Sequence, residues 1–199
     1  MNHRKNIGTI QSYLKKAMTV FDIFNEETIG PVLNIVAETA RYDSDHPAHP
    51  ERNLLQHSLQ TYLWALREAG NNTDLILAAL LHDVGKLADP LGHDKIGADM
   101  VKPYTSVKTH WLIQNHMRFW HWIEGDMKRL KKATELHEHP WLNDLAALAR
   151  WDKMARRSNT NLVLDRQAVM DTLNQRVADH FAENKRRAAA SHDHPSENI

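Results

Sequence analysis

The sequence contains no cysteine, and this absence excludes disulfide bonds, thiolate-ligated zinc and a thiol nucleophile. It also lacks an excess of one charge, because 25 lysine and arginine residues balance 25 aspartate and glutamate residues. No overall charge field therefore draws the chain to nucleic acid or to a membrane. No apolar run approaches the roughly 20 residues that cross a bilayer, and the first residues lack the apolar stretch of a signal peptide. We therefore expect a cytoplasmic protein without a membrane partner.

Glycine and proline are scarce as well, with seven of each in 199 residues, so long helices with few breaks are expected. The alternation typical of strands is almost absent, whereas apolar residues recur at three- and four-residue spacing. The sequence therefore predicts an all-α fold, with one domain at 1–185 and a polar, disordered tail at 186–199. Gly70 is expected to end one of the helices. The predicted helices lie at 8–24, 29–41, 54–69 and 74–87, from about 93, and at 104–120, 142–157 and 165–185.

Histidine, in contrast, is abundant, with fourteen residues. The segment 80–86, LLHDVGK, places the adjacent pair His82-Asp83 at the end of a strongly apolar helix. A charge buried there needs a partner or a metal ion. Imidazole and carboxylate together suit Zn, Fe, Mn or Mg, and the two oxygens of Asp83 can bridge two ions. The pair alone does not distinguish such a site from a surface salt bridge, because adjacent His and Asp residues are common by chance.

Four other residues carry the same donor chemistry in apolar surroundings. His57 lies on the apolar face of a helix, where a lone histidine is usually a hydrogen-bonded core residue. His93 follows a turn in GHDKIGAD, and His116 follows an apolar pair in WLIQNHMR. Asp152 is embedded in the apolar helical face of LAALARWDKMA. A buried acid needs an explanation, and a metal ion provides one.

Other histidines compete for these roles. His110 lies six residues before His116, so the two project from different sides of one helix. His121, between two tryptophans, is expected at the rim of a pocket or in packing contacts. His46 and His49 lie in the proline-bearing connector, where they could contact a substrate but are expected to be exposed to solvent.

The order of these residues resembles the HD superfamily of metal-dependent enzymes, whose pattern H…HD…H…H…D covers residues about 50–160 here. The resemblance implies a helical bundle with five core helices and extra helices at both ends. It also implies one or two divalent ions, Mn, Fe, Co, Ni, Zn or Mg, among which the sequence does not select. The implied ligands are His57, His82, Asp83 and Asp152 for one ion, and Asp83, His93 and His116 for a second.

One chemistry of this superfamily is phosphoester hydrolysis. The segments HPERNLLQHSL, LAALLHDVGK, GHDKIGA and NHMR resemble the HD domains of RNA-processing nucleotidyltransferases and related phosphohydrolases. This resemblance implies that a metal-activated water hydrolyses a phosphomonoester or phosphodiester of a nucleotide or of a nucleic-acid end, such as an RNA end. Asp83 would anchor the metal and orient the water. Lys86 and Arg118 would contact the substrate and offset phosphoryl charge, although Arg118 is as readily a solvated surface charge.

Two alternatives remain. The segments HSLQT, HDVGK, GHDKIG and MRFWHW also resemble the mixed-valence diiron oxygenases of the superfamily, including myo-inositol oxygenase. This implies that the six ligand positions hold two irons and activate dioxygen to cleave a C–C or C–P bond, with Lys86 on a substrate hydroxyl. We favour hydrolysis, because the chain is shorter than the inositol enzyme and the resemblance is patchy outside the metal motifs. The second alternative is a non-catalytic regulatory or binding module, which need not keep all six positions.

Basic residues cluster at 128–132 and at 155–157. They could form a rim for a nucleotide or RNA, although a charge run on a helix is more often a solvated face. The tryptophans are mostly at helical spacing and are expected in the core, except Trp120 and Trp122, which lie close to the proposed site. The sequence does not indicate an oligomeric state.

Overall fold

The computed structural model describes residues 23–45, 47, 49–158 and 160–192. The regular secondary structure of this part of the chain is helical. Within it, β-type pairing is limited to one isolated bridge between Asp43 and Asn53. The predicted all-α fold is confirmed. The helices are α1 (Gly30–Glu38), α2 (Leu54–Glu68), α3 (Thr73–Leu81), α4 (His93–Val101), α5 (Val107–Ile123), α6 (Leu130–His137), α7 (Leu142–Met154) and α8 (Arg166–His192). None of these helices combines the length and the apolar character needed to cross a bilayer.

Short polar side chains set the beginnings of three helices. The Asn53 side chain accepts hydrogen bonds from the first amides of α2, and Asn72 does the same for α3. Ser106 accepts from the Thr109 amide and begins α5. Each cap satisfies an amide that has no partner inside its helix and stabilises the fold by about 0.5–2 kcal/mol. At its other end α2 stops just before Gly70, which has a φ of 56°, as predicted.

Helix α3 lies at the centre of the bundle. Every side chain from Leu75 to Leu81 is buried, so the helix has no polar face. It packs against α2, α5 and α7, which surround it. A helix that is apolar on all sides is stable only when neighbours cover all of them. The residues that follow α3 therefore enter the interior of the protein, and the predicted central position of this segment is confirmed.

The His82-Asp83 pair follows α3 in a tight turn. The predicted helix at 74–87 ends before His82, and Val84–Leu87 forms a 3-10 turn instead. The Lys86 amide donates to the Asp83 carbonyl at 3.0 Å, the short-range bond that defines such a turn. The turn directs the two side chains across the bundle instead of along the axis of α3.

Two glycines, Gly85 and Gly97, allow this turn to approach α4 closely. A Cβ atom on Gly85 would lie 2.1 Å from the carbonyl oxygen of His93 and 2.5 Å from the amide nitrogen of Gly97. A Cβ atom on Gly97 would in turn lie 2.9 Å from the Gly85 nitrogen. Because neither residue has a side chain, the turn and α4 touch through their backbones. This contact brings His93, the first residue of α4, beside the turn that carries Asp83.

Other parts of the helix prediction also differ from the structure. The helices predicted at 29–41 and 142–157 end at Glu38 and Met154. Helix α5 begins at Val107 instead of at 104, because the Ser106 cap starts it there. Helix α6 was not predicted, since its sequence is polar and Leu136 is its one buried residue. The predicted helix at 8–24 falls outside the described residues except for Ile23 and Phe24, which form a turn.

Helix α8 continues to His192, past the predicted end at Lys185. Residues 186–192 are therefore helical where a polar tail is expected from the sequence. The reason is local, because Arg187 pairs with Glu183 one turn earlier and the alanines that follow favour helix. Residues 193–199 lie outside the described part of the chain, and the single domain at 1–185 stays a prediction.

We expect Gly85→Ala to lower the melting temperature strongly. The added methyl group must push the turn away from α4, and overpacking of this kind costs about 1–3 kcal/mol. That corresponds to a loss of roughly 2–12 °C for a chain of this size. Gly92→Ala is the control, because the nearest atom to its added Cβ is a side-chain carbon at 3.5 Å. Thermal unfolding monitored by circular dichroism measures both, and equal melting temperatures would show that the backbone contact is unimportant.

Candidate metal centre

Six imidazole and carboxylate side chains from five helical segments converge in the interior. All are at most 6% exposed, although residues of these types are rarely buried without partners. The five segments are the core helices α2, α3, α4, α5 and α7. The converging residues are His57 on α2, His82 and Asp83 after α3, His93 at the start of α4, His116 on α5 and Asp152 near the end of α7.

One oxygen of Asp83 faces the first group of donors. Asp83 Oδ2 lies 3.6 Å from His57 Nε2 and 3.5 Å from His82 Nε2. The two Nε2 atoms are 3.3 Å apart. Asp152 Oδ1 completes the group at 3.1 Å from His57 Nε2. The first group therefore offers two imidazole nitrogens and two carboxylate oxygens to one position.

The other oxygen of Asp83 faces the second group. Asp83 Oδ1 lies 3.1 Å from His93 Nε2 and 3.6 Å from His116 Nε2. These two Nε2 atoms are 3.1 Å apart. In each group, three donor atoms lie within 4.8 Å of one another, which is close enough to share an ion. Asp83 thus stands between the two groups with one oxygen directed to each.

Hydrogen bonds on the outer side of three rings fix their orientation. The Nδ1 atoms of His82, His93 and His116 lie 3.1, 2.7 and 2.7 Å from the backbone carbonyl three residues earlier. A carbonyl only accepts, so Nδ1 carries the proton and Nε2 directs a lone pair inward. Lone pairs of His93 and His116 that meet at 3.1 Å repel each other unless a proton or a metal cation lies between them. The donor set therefore fits divalent metal ions, which prefer neutral imidazole and carboxylate ligands.

Both carboxyl groups of the centre are ionised. Burial would raise the pKa of Asp83, but its interactions with His82, Lys86, His116 and His93 outweigh this effect and hold the pKa well below its usual value. Burial opposes ionisation of Asp152 too, and the hydrogen bond with His57 is the main interaction that nevertheless lowers its pKa. Two carboxylates in one buried site carry negative charge that needs compensation.

The two histidines of the first group differ in their protonation. Burial lowers the pKa of His82 to about 3, so this ring is neutral. Burial would lower the pKa of His57 as well, but Asp152 and Glu51 contact it and raise the pKa to about 9. In the metal-free protein His57 therefore holds a proton near neutral pH. An ion that binds Nε2 must displace that proton, so metal affinity and pH are linked.

A cavity of about 450 Å³ opens above the centre. Lys86 lines it, and its Nζ lies 2.5 Å from Asp83 Oδ2. Arg156 Nη2 lies 3.2 Å from Asp152 Oδ1, and Trp120 Nε1 donates to Asp152 Oδ2 at 3.3 Å. The cavity is lined by His49, Asp83, Lys86, His93, His116, Met117, Trp120, His121, Glu124, Asp152, Lys153 and Arg156. Carboxylate and imidazole groups of the centre and the cationic side chains of Lys86, Lys153 and Arg156 therefore line one cavity that opens to solvent.

Arg118 does not line the cavity above the centre. It lines the neighbouring cavity of about 800 Å³, and its guanidinium donates to the Lys132 carbonyl and pairs with Glu135 at 3.7 Å. The two cavities share His93, among other residues, at their border. The role of Arg118 as a substrate contact stays a prediction.

The competing histidines also have defined positions. His110 lies 3.7 Å from Asp99, outside both donor groups. His121 is exposed at the border of the two cavities, as expected for a rim residue. His49 is only partly exposed, contrary to the expectation, because it turns towards Glu51. His46 lies outside the described residues.

Sequence reasoning missed Glu51, Lys153 and the particular role of Arg156. Glu51 lies in a polar connector, where burial depends on tertiary structure. Arg156 follows Asp152 by four residues, the spacing at which two side chains meet on one helix face. That spacing was the available indication that Arg156 reaches the centre.

The comparison with protein families agrees with this geometry. A family model of the HD domain matches residues 54–157, half of the chain, and the chain belongs to the HD-domain family. This range contains all six converging residues. A search of curated proteins finds no match. Members of the family are mostly metal-dependent phosphohydrolases, and the buried histidine and aspartate groups of this chain could hold metal ions.

We expect Asp83→Asn to lose both metal ions, because its two oxygens serve both groups. The substitution keeps the shape of the side chain but removes the charge that balances bound cations. His116→Ala should lose only the ion of the second group. Metal content after dialysis, measured by plasma mass spectrometry, tests both variants. Asp99→Asn, an exposed acid on α4 that lines neither cavity, is the control with unchanged content. An Asp83→Asn protein that keeps both ions would contradict the bridging role.

Proposed function

We propose that this protein is a metal-dependent phosphohydrolase that acts on a nucleotide or on a phosphorylated nucleic-acid end. One observation carries the proposal. The two donor groups around Asp83 lie at the floor of a cavity whose walls carry Lys86, Lys153 and Arg156. Metal ligands below and cationic side chains around the opening favour a substrate with a compact, highly charged anionic group, and phosphate has this character.

The six converging residues would hold the ions. His57, His82, Asp152 and Asp83 Oδ2 form the first position, and His93, His116 and Asp83 Oδ1 the second. Divalent ions at such positions supply a water of lowered pKa and positive charge for phosphoryl oxygens. Mn, Fe, Co, Ni, Zn and Mg remain candidates, since mixed nitrogen and oxygen donors accept all of them.

Lys86 would position the phosphate. Its side chain is 15% exposed, so it reaches from the buried Asp83 carboxylate into the cavity. An ammonium group has three protons, and one of them serves Asp83 Oδ2. The other two can donate to phosphoryl oxygens and offset the charge that develops on them.

Arg156 and Trp120 would complete the substrate contacts. Arg156 uses Nη2 for Asp152, and its Nε is buried without a hydrogen-bond partner among the described residues. An anion in the cavity is a natural acceptor for that nitrogen. Trp120 is held by its own bond to Asp152 and presents a ring in the cavity wall, where a nucleobase could stack. A longer substrate could extend past His93 towards Arg118.

The decisive experiment measures phosphoester hydrolysis by metal-free protein loaded with Mn, Co, Ni, Zn, Mg or Fe. Release of phosphate is measured with nucleoside monophosphates and RNA oligonucleotides with a terminal phosphate, release of p-nitrophenol with bis(p-nitrophenyl) phosphate, and ring opening with RNA that ends in a cyclic phosphate. We expect metal-stimulated hydrolysis that is equal in air and under nitrogen, and that Asp83→Asn abolishes. Turnover that requires iron and oxygen would establish the oxygenase alternative instead. Stable metal binding without any turnover would favour the regulatory module.

We expect Lys86→Ala to lower kcat by about 10²-fold while both metal ions remain bound. The reason is that loss of one positioned donor to a developing negative charge costs on the order of 10²–10³ in rate, whereas Lys86 itself is not a ligand. Steady-state kinetics and metal analysis of the same preparation measure the two effects. Lys102→Ala, an exposed lysine outside both cavities, should behave as the unmodified protein. Loss of metal in the Lys86 variant would instead assign Lys86 to the integrity of the centre.

A further inference from the structure

Glu51 is a buried acid in the loop that precedes α2. Its side chain is 1% exposed, and its Oε1 atom lies 2.9 Å from His57 Nδ1 and 2.8 Å from His49 Nδ1. Among the described residues, its ion-pair partners are these two imidazoles and neither a lysine nor an arginine. A buried carboxylate costs several kcal/mol unless its partners compensate. The contact with His57 therefore helps to compensate for the burial of the Glu51 carboxylate.

His57 is the exception among the four histidines of the centre. The other three direct Nδ1 to a backbone carbonyl of their own segment, whereas His57 directs it to a carboxylate. His57 Nδ1 and Glu51 Oε2 are also buried without an aligned hydrogen bond among the described residues. The ion pair with Glu51 Oε1 at 2.9 Å is therefore the contact that these residues provide for His57 Nδ1. A carboxylate on the outer nitrogen orients a metal-binding imidazole and strengthens its inner nitrogen as a donor.

The backbone is strained at Arg52, next to Glu51, and this conformation accompanies the contact between Glu51 and His57. Arg52 has a φ of 59°, a left-handed conformation that residues with a side chain seldom adopt. Hydrogen bonds hold it there, from Ser44 N to Arg52 O at 2.6 Å and from Arg52 N to His49 O at 2.9 Å. The chain reverses at Arg52, so Glu51 enters the interior while Asn53 caps α2. Such strain persists only where the surroundings enforce it, and it is concentrated at functional sites.

We propose that Glu51 is a positioning residue that fixes the ring of His57, so that Nε2 faces the first metal position, and that His49 steadies Glu51 from the cavity side. The inference rests on the metal centre described above but not on the reaction catalysed there. It predicts an asymmetry, because Glu51 touches only the first donor group. The second group, around His93 and His116, has no contact with Glu51.

Titration of metal-free protein with Co²⁺ tests this asymmetry. The absorption of bound Co²⁺ and calorimetry resolve the two binding steps, which His116→Ala assigns by removing the second. We expect Glu51→Gln to weaken the first step roughly 10–100-fold and to leave the second unchanged. Glu51→Asp keeps the charge on a shorter arm and should fall between. Glu38→Gln, an exposed acid paired with Arg41, is the matched control with both steps unchanged.

The outcomes separate this inference from the proposed function. If the unmodified protein binds two ions and Glu51→Gln binds both equally well, Glu51 is not a positioning residue, whatever its effect on the melting temperature of the metal-free protein. If both steps weaken equally, the effect is general and the inference fails as well. If Glu51→Gln does not fold, the same comparison with Glu51→Asp decides. If the unmodified protein binds no metal, the metal centre itself fails, and both proposals with it.

Discussion

The structure depends on the carboxylate of Asp83, which faces imidazole nitrogens on both sides. Its two oxygens lie 3.1–3.6 Å from the Nε2 atoms of four histidines, and each of these atoms belongs to one of two separate donor groups. Lone pairs and negative charge at such distances are unfavourable in a buried site unless cations balance them. The turn after α3, the inward direction of the rings and the contacts of three outer nitrogens with backbone carbonyls together place these atoms where a cation could bind.

The rest of the fold serves to hold that arrangement. A fully apolar central helix delivers Asp83 to the interior, and two glycines let the next helix approach closely enough for His93 to reach it. The six converging residues lie on helices or in the turn that follows α3, and such elements position side chains more accurately than loops do. Glu51 differs from these six residues, because it contacts the centre from a loop. The strained residue Arg52 follows it directly.

The sequence was sufficient to predict the helical class, the central helix and the convergence of six residues, because each depends on periodicity or on buried donor chemistry. Glu51 could not be found in this way, since its burial depends on the path of a polar loop. For Arg118 and Arg156, the number of residues that separates each from a residue of the centre indicates whether the two side chains can meet. Arg118 is two residues after His116, and residues at this separation do not share a helix face. Arg156 is four residues after Asp152, the separation at which side chains of a continuous helix meet, and it contacts Asp152 from just beyond the end of α7. The polar helix α6 escaped prediction because little of it faces the core.

The wide separation of the ligands along the chain has a thermodynamic consequence. An ion held by His57 and Asp152 would act as a cross-link between distant segments, and it would bind the folded chain far more tightly than the unfolded one. Binding energy of this kind adds directly to the free energy of unfolding. Without the ion, the same side chains pair with one another and with Lys86 and Arg156. An ion at the centre would therefore couple chelation and thermal denaturation through one equilibrium.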